Sequence, residues 1–279
     1  NALHKDSVRA LQFCKTNPNN IVSVGKRKGV FTSTIEGKKL EVRRVDDPAN
    51  CMLFMDENRF CVGDDAGGIT VFDLRQKDKL FKIEEHHEYV SDMCLHKDGK
   101  SLVAVSGDGT LAVYNMKQKG KLVAMSDPNE DEFLCCEIMK NCSKVFCGSV
   151  SGVLNIFSWG DFGDLNDRLP GIKESTNSIV KLSENTLLTG GEDGIIRVCG
   201  VFPNKIKGIL SEHISSQTAK PETIERLSLS KDGEILASCA HDSTVKLWTL
   251  NEAYRLDRGE ESRCAKRTRE ENFFAGMDI

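Results

Sequence analysis

One short pattern recurs six times along the chain, and this repetition constrains the fold more than any other feature. Each copy has an apolar run, a tight polar turn and a second apolar run, as in "LVAVSGDGTLAVYNM" (102–116) and "LLTGGEDGIIRVCGV" (187–201). The turn residues are Gly29, Gly68, Gly109, Gly152, Gly194 and, in the last copy, Ser243. Their steps of 39, 41, 43, 42 and 49 residues are typical of an architecture of stacked structural repeats.

The segments around each turn predict four short β-strands per copy. A further apolar run such as "YVSDMCL" precedes the pattern, and an extended segment such as "KLFKIEE" follows it. Short apolar runs bounded by Gly, Asp and Asn turns indicate antiparallel hairpins. We therefore expect an all-β fold of six four-stranded repeats over residues 1–250. Residues 251–279 are expected to form a charged, partly disordered C-terminal tail.

Two copies carry polar and aromatic residues in a shared order. The sets are His86, Ser106, Asp108 and Tyr114, and His213, Ser238, Asp242 and Trp248. This order resembles the WD-repeat family, whose repeats are blades of a β-propeller. The resemblance implies that each set forms a hydrogen-bond network within its blade. We interpret the sets as structural rather than as catalytic triads, because they recur with the repeat.

The resemblance also raises the question of how many blades the ring has. Propellers close by pairing the first and last strands in one sheet, since an open ring would expose unpaired strand edges. The chain opens at "NALHKDSVRALQF", which is typical of an innermost strand, and the last copy ends at Leu250 without a convincing outer strand. We expect a seven-bladed ring that lacks its N-terminal blade in this sequence. The alternative is a ring of six complete blades in which residues 254–256 form an edge strand.

Longer stretches resemble one nucleolar branch of the WD-repeat family, which is associated with ribosomal RNA production. They include "DDAGGITVFDLR", "CGSVSGVLNIFSWGDFG" and "ENFFAGM". This resemblance implies a non-catalytic protein-interaction scaffold in the nucleus and nucleolus that supports ribosomal RNA synthesis and processing. The expected partners are pre-ribosomal proteins, with any RNA contact indirect. We expect a monomer that has no membrane association, with an additional cytoplasmic pool as an alternative.

Composition and motifs argue against several other classes of protein. The net charge is −4, and no apolar run approaches the length of a bilayer span. The eleven cysteines form no C-x-x-C pair, so we expect reduced core cysteines in a reducing compartment. No P-loop, H-E-x-x-H or G-x-S-x-G motif occurs. We expect no enzymatic activity, no metal site and no cofactor.

The stretch "VFDLR" is a candidate docking motif. It is similar to the Trp-Asp-x-Arg ending of WD proteins that dock on the damaged-DNA-binding adaptor of cullin-4 ubiquitin ligases. Phe72 replaces the tryptophan, while Asp73 and Arg75 match. The resemblance implies an alternative function as a substrate receptor of such a ligase. The other interpretation is that Asp73 caps a turn and Arg75 is simply solvated.

Two further segments are candidates for interaction. In the tail, Lys266, Arg267 and Arg269 fit a basic nuclear-import pattern, and Phe273 and Phe274 suggest a docking motif. Near the start, the turn 26–28 ("KRK") could combine with "KKLEVRR" into a positive patch for RNA or an acidic peptide. A solvated turn is the alternative at this second segment.

Overall fold

The computed structural model describes residues 3–214 and 220–257, and these residues form six antiparallel sheets. The chain divides into two compact units, Asn1–Arg168 and Leu169–Ile279. The first unit holds four sheets, and the second holds two. No helix in the described ranges is long and apolar enough to cross a membrane.

Each sheet of the first unit has four strands. The first sheet comprises β1 (Val8–Phe13), β2 (Asn20–Gly25), β3 (Gly29–Thr34) and β4 (Lys39–Arg44), and the second comprises β5 (Ala49–Phe54), β6 (Arg59–Asp64), β7 (Gly68–Asp73) and β8 (Phe81–Glu84). The third comprises β9 (Val90–Leu95), β10 (Ser101–Ser106), β11 (Leu111–Asn115) and β12 (Lys121–Met125), with a 3₁₀ turn at Met116–Gln118. The fourth comprises β13 (Phe133–Met139), β14 (Lys144–Ser149), β15 (Leu154–Ser158) and β16 (Asp167–Leu169).

The second unit has one four-stranded and one three-stranded sheet. The fifth sheet comprises β17 (Thr176–Ser183), β18 (Thr186–Gly191), β19 (Ile195–Gly200) and β20 (Lys205–Glu212). The sixth comprises β21 (Ile224–Leu229), β22 (Ile235–Ala240) and β23 (Val245–Thr249), and helix α1 (Asn251–Asp257) follows it.

Strands within a sheet pair in chain order, and this topology gives each four-stranded sheet two different ends. In the third sheet, for example, β9 pairs with β10, β10 with β11 and β11 with β12, all antiparallel. The first and third turns therefore lie at one end, which we call the double-turn end. The second turn and the connections to neighbouring sheets lie at the other, the single-turn end.

In the third, fourth and fifth sheets, the backbone of the second turn explains the recurring glycine. Gly109 has a φ of 75°, and a Cβ there would lie 2.3 Å from the carbonyl oxygen of Asn129. Glycine is therefore required both by the left-handed backbone and by close packing. In the second sheet the left-handed residue is Gly67 (φ 86°) rather than the predicted Gly68.

The core lies between neighbouring sheets and covers both faces of the central strands. All six residues of β7 are buried, and Leu102 to Val105 of β10 are fully inaccessible. Cysteines contribute to this core, and Cys61 and Cys147 have no exposed surface. The ten cysteines of the described ranges are all free. The exposed apolar side chains include Phe13 of β1, which is 59% exposed, and Leu247 of β23, which is 69% exposed.

The sixth sheet corrects two expectations. It has three strands rather than four. Residues 254–256 belong to α1, so the prediction that they form an edge strand and complete a six-bladed ring is wrong. Instead α1 packs on the second unit: Tyr254 donates a hydrogen bond to the carbonyl of Gly233 (2.8 Å), and Asp257 pairs with Lys207 (2.9 Å). The seventh blade remains a prediction.

Arg43 is a buried cation that fixes the segment after β7. It is 2% exposed, pairs with Glu41 (2.6 Å) and donates hydrogen bonds to the hydroxyl of Thr32 and to the carbonyls of Leu74 and Gln76. The predicted surface patch that includes "KKLEVRR" is therefore wrong for Arg43, whose guanidinium is inside the first unit. Removing a buried cation's side chain leaves its acceptors without their donor.

We predict that Arg43→Ala lowers the free energy of unfolding by about 3 kcal/mol, since it breaks a buried ion pair and its hydrogen bonds. Urea unfolding monitored by circular dichroism measures this loss. The matched control is Arg44→Ala, which removes the neighbouring exposed arginine and should change the free energy by about 0.5 kcal/mol or less. Equal losses in the two variants would contradict the role assigned to Arg43.

Candidate interaction site

The sixth sheet contains a continuous chain of hydrogen bonds among its four predicted residues. The Trp248 indole donates to the Ser238 hydroxyl (2.7 Å), and that hydroxyl lies 2.6 Å from Nε2 of His213. The His213 Nδ1 lies 3.1 Å from the Asp242 carboxylate. A proton on Nδ1 satisfies the carboxylate and leaves Nε2 as the acceptor from Ser238, so the chain fixes the tautomer.

Electrostatics in this network favour a neutral histidine beside an ionised aspartate. Burial lowers the pKa of His213, and its hydrogen bond to Asp242 only partly opposes that effect. Burial raises the pKa of Asp242, but hydrogen bonds from Thr244 and His213 outweigh it and hold that pKa well below its ordinary value. His213 is 0% and Ser238 is 1% exposed, and the serine hydroxyl already has two partners. The arrangement suits a structural network and leaves no room for a substrate at Ser238.

The third sheet brings its set together differently from the prediction. The His86 Nδ1 bonds the Thr110 hydroxyl (2.9 Å), which in turn donates to Asp108 (2.6 Å). Ser106 donates to the backbone carbonyl of Glu88 instead of joining the histidine. The Nε2 of His86 and the hydroxyl of Tyr114 are buried without a hydrogen-bond partner.

Strand register explains why the third-sheet chain is interrupted. Leu102 pairs with Tyr114 as Leu236 pairs with Trp248, so Ala104 occupies the position of Ser238. The serine chosen from the sequence, Ser106, is two residues too far along β10. Because alanine has no hydroxyl, the side chain at position 104 cannot bridge His86 and Tyr114.

The first sheet retains more of the pattern than the sequence suggested. His4 bonds the hydroxyl of Ser23 (2.8 Å), and Ser23 pairs across the sheet with Phe31 as Ser238 does with Lys246. The signal that could have found this pair is spacing, because His4 precedes β1 by four residues as His86 precedes β9.

The candidate adaptor-docking residues divide between core and surface. Phe72 is 1% exposed and stacks on Phe60, with ring centroids 5.5 Å apart. Arg75 points into solvent with its side chain 71% exposed, and Asp73 holds its guanidinium through two hydrogen bonds of 2.9 and 2.6 Å. The hydrogen bond from Arg75 lowers the pKa of Asp73. Of the three candidate docking residues, Arg75 is therefore the exposed one, and its guanidinium is held in a defined orientation.

The other candidates are either neutralised or outside the described residues. In the turn 26–28, Arg27 pairs with Asp6 and Lys28 pairs with Asp47 (3.2 Å), so acidic neighbours offset this basic turn. The import and docking candidates Lys266, Arg267, Arg269, Phe273 and Phe274 lie outside the described residues.

Solved structures show which class of fold this is. The structure of U3-55K matches with a TM-score of 0.78 at 18% identity, covering 90% of this chain and 80% of that one. The crystal structure of the RRP9 WD40 repeats matches with a TM-score of 0.78 at 17% identity, covering 90% and 79%. Together with the His–Ser–Asp–Trp chain, these matches define a WD-repeat β-propeller protein.

Sequence relatives then identify the family. A family model described as WDR55 matches residues 1–253. WD repeat-containing protein 55 of Mus musculus is 36% identical over 253 residues (89% of this chain, 63% of the relative), and that of Arabidopsis thaliana is 35% identical over 254 residues (89% and 69%). The chain belongs to the WDR55 family, which confirms the resemblance to WD-repeat proteins. It spans slightly less than two thirds of the length of the mouse relative.

We predict that Ala104→Ser raises the free energy of unfolding by about 1 kcal/mol, because the new hydroxyl can bond both His86 and Tyr114. Urea unfolding measures the gain. Ala49→Ser is the control, since it adds a hydroxyl at another fully buried alanine and should be destabilising. A loss of stability in Ala104→Ser that equals the loss in the control would contradict the assigned register.

We also predict that stability falls as the pH drops below about 6.5, the ordinary pKa of histidine. Below this pH the histidine of the unfolded chain binds a proton, whereas buried His213 of the folded protein stays neutral. The stabilisation present at higher pH is therefore lost as the pH falls towards the lowered pKa of His213. Unfolding free energies of the wild type and His213→Gln between about pH 8 and 5 measure this dependence. The variant should show a smaller slope of unfolding free energy against pH. His4 contributes to the slope that remains, because burial also lowers the pKa of His4. Identical slopes would contradict the prediction.

Proposed function

We propose that this protein is a non-catalytic protein-interaction scaffold of the nucleolus that supports ribosomal RNA synthesis and processing. The observation that carries the scaffold role is the burial of the His213–Ser238–Asp242 constellation, which functions as internal support for a sheet. The side chains of these three residues bond one another inside the sheet and are not presented to a substrate. The turns at the sheet ends are available for partners.

The nucleolar part of the proposal has separate support. The chain belongs to the WDR55 family, with relatives in an animal and a plant. The longer stretches quoted above resemble the nucleolar branch of WD-repeat proteins associated with ribosomal RNA production. Pre-ribosomal proteins are the partners that this assignment implies.

The experiment is affinity purification of the full-length protein from its native cells, with and without RNase, followed by mass spectrometry. Recovery of pre-ribosomal proteins that resist RNase is the expected result, because a scaffold contacts its partners directly. Recovery of a cullin-4 adaptor without ribosomal factors would replace this proposal with the alternative below.

The exposed Arg75 favours one second candidate function, a substrate receptor of a cullin-4 ubiquitin ligase. Asp73 orients the guanidinium, and an oriented, exposed arginine is a suitable interface anchor. The buried Phe72 contributes to the core rather than to the contact.

For this candidate, Arg75→Ala should reduce binding to the purified damaged-DNA-binding adaptor at least tenfold, about 1.4 kcal/mol. The matched control is Lys77→Ala, which removes an exposed cation two residues away in the same turn and should leave binding unchanged. Binding can be measured by surface plasmon resonance. If Arg75→Ala binds as tightly as the control, the motif is not a docking element.

A further inference from the structure

Lysines concentrate at the double-turn ends of the third and fourth sheets. Three turns, 96–100 ("HKDGK"), 116–121 ("MKQKGK") and 140–144 ("KNCSK"), contain seven lysines and a single carboxylate. The lysines are Lys97, Lys100, Lys117, Lys119, Lys121, Lys140 and Lys144. We call these three turns the lysine surface.

Direct contacts join the three turns into one surface of the first unit. The Met116 amide donates to the carbonyl of Lys100 (2.8 Å), which links the first two turns. The Lys97 ammonium reaches the carbonyl of Asn141 (3.2 Å), which links the third sheet to the fourth. At the edge, the His96 ring stacks on half-buried Trp159 with centroids 4.0 Å apart.

Three lysines of the lysine surface carry a charge that no ion pair neutralises in the part of the chain that the structure describes. Lys100, Lys117 and Lys121 are exposed, and within the described ranges no ion pair joins any of them to a carboxylate. The one carboxylate, Asp98, is occupied by hydrogen bonds from the amides of Lys100 and Ser101, each 2.9 Å. This differs from the turn 26–28, where Arg27 and Lys28 both have acidic partners.

The backbone holds these turns in a defined shape. Lys119 has a φ of 55° and is followed by Gly120 at 75°, while Lys140, Asn141 and Cys142 have φ values of 55°, 53° and 66°. Consecutive non-glycine residues in the left-handed region are uncommon and persist only where the surroundings enforce them. A pre-shaped turn loses less conformational entropy when a ligand binds.

The opposite, single-turn end of the third sheet is strongly acidic. Residues 84–89 and 127–132 contain no lysine or arginine, and they carry Glu84, Glu85, Glu88, Asp127, Glu130, Asp131 and Glu132. The net charge of −4 therefore conceals a separation of charge between two ends. A polyanion is attracted to one end of the third sheet and repelled by the other.

We propose that the lysine surface binds the phosphate backbone of single-stranded RNA directly. Phosphates recur along an RNA chain, so one strand can contact several of the turns at once, with lysines as point charges. Because the contacts are made to phosphates rather than to base edges, the surface binds without reading sequence. This role goes beyond the proposed scaffold function and does not rest on it.

The test is fluorescence anisotropy of a labelled oligouridylate of about twenty nucleotides with the full-length protein, between about 50 and 200 mM salt. The variant Lys100→Gln/Lys117→Gln/Lys121→Gln should weaken binding at least tenfold at the lower salt. It should also reduce the slope of log affinity against log salt by about 2, because three phosphate contacts are lost.

The matched control is Lys173→Gln/Lys205→Gln/Lys231→Gln, which removes three exposed lysines of the second unit and makes the same change in net charge. It should keep the wild-type affinity within about twofold, and circular dichroism should show both variants folded. Three results would overturn the proposal: no binding of the oligouridylate by the wild type, equal losses in the two variants, or tighter binding of a glutamate-rich peptide than of RNA. RNA binding in a protein that recovers no pre-ribosomal partners would refute the scaffold function alone.

Discussion

Burial of both faces of a small sheet by its neighbours is the constraint on which the rest of this structure depends. A sheet of four short strands is marginal by itself, because a single layer leaves one apolar face in water. In the middle of the first unit this need is met, and Leu102 to Val105 of β10 have no exposed surface. Each repeat is therefore stable only as part of a stack, which is why the sequence repeats.

The hydrogen-bond network is secondary to that packing. Within the described residues, the sixth sheet has the complete chain from Trp248 to Asp242, yet β22 and β23 include exposed apolar residues. The third sheet lacks the bridging hydroxyl at Ala104, and residues 102–106 and 111–114 of its central strands are nevertheless buried. Polar residues can vary between repeats as long as apolar contact is kept, so the repeats differ in their polar residues more than in their apolar pattern.

Sequence periodicity predicted the number of sheets and their turns well, since a left-handed turn between two apolar runs has few alternatives. It predicted side-chain partners less well, because those depend on register. Ser106 precedes its aspartate by two residues and Ser238 precedes Asp242 by four, and this difference was the available sign that Ala104 is the equivalent position. Arg43 could not be distinguished from an exposed arginine, since its carbonyl acceptors belong to a distant turn.

Packing between sheets, rather than the side-chain network, determines local stability in this protein. Native-state amide hydrogen exchange measured by mass spectrometry tests this most directly, because it reports the opening free energy of each strand. We expect slow exchange in β6, β10 and β14 and faster exchange in β22, although β22 contributes Ser238 to the complete network. Slowest exchange in β22 would contradict this expectation and would make the network the main source of stability.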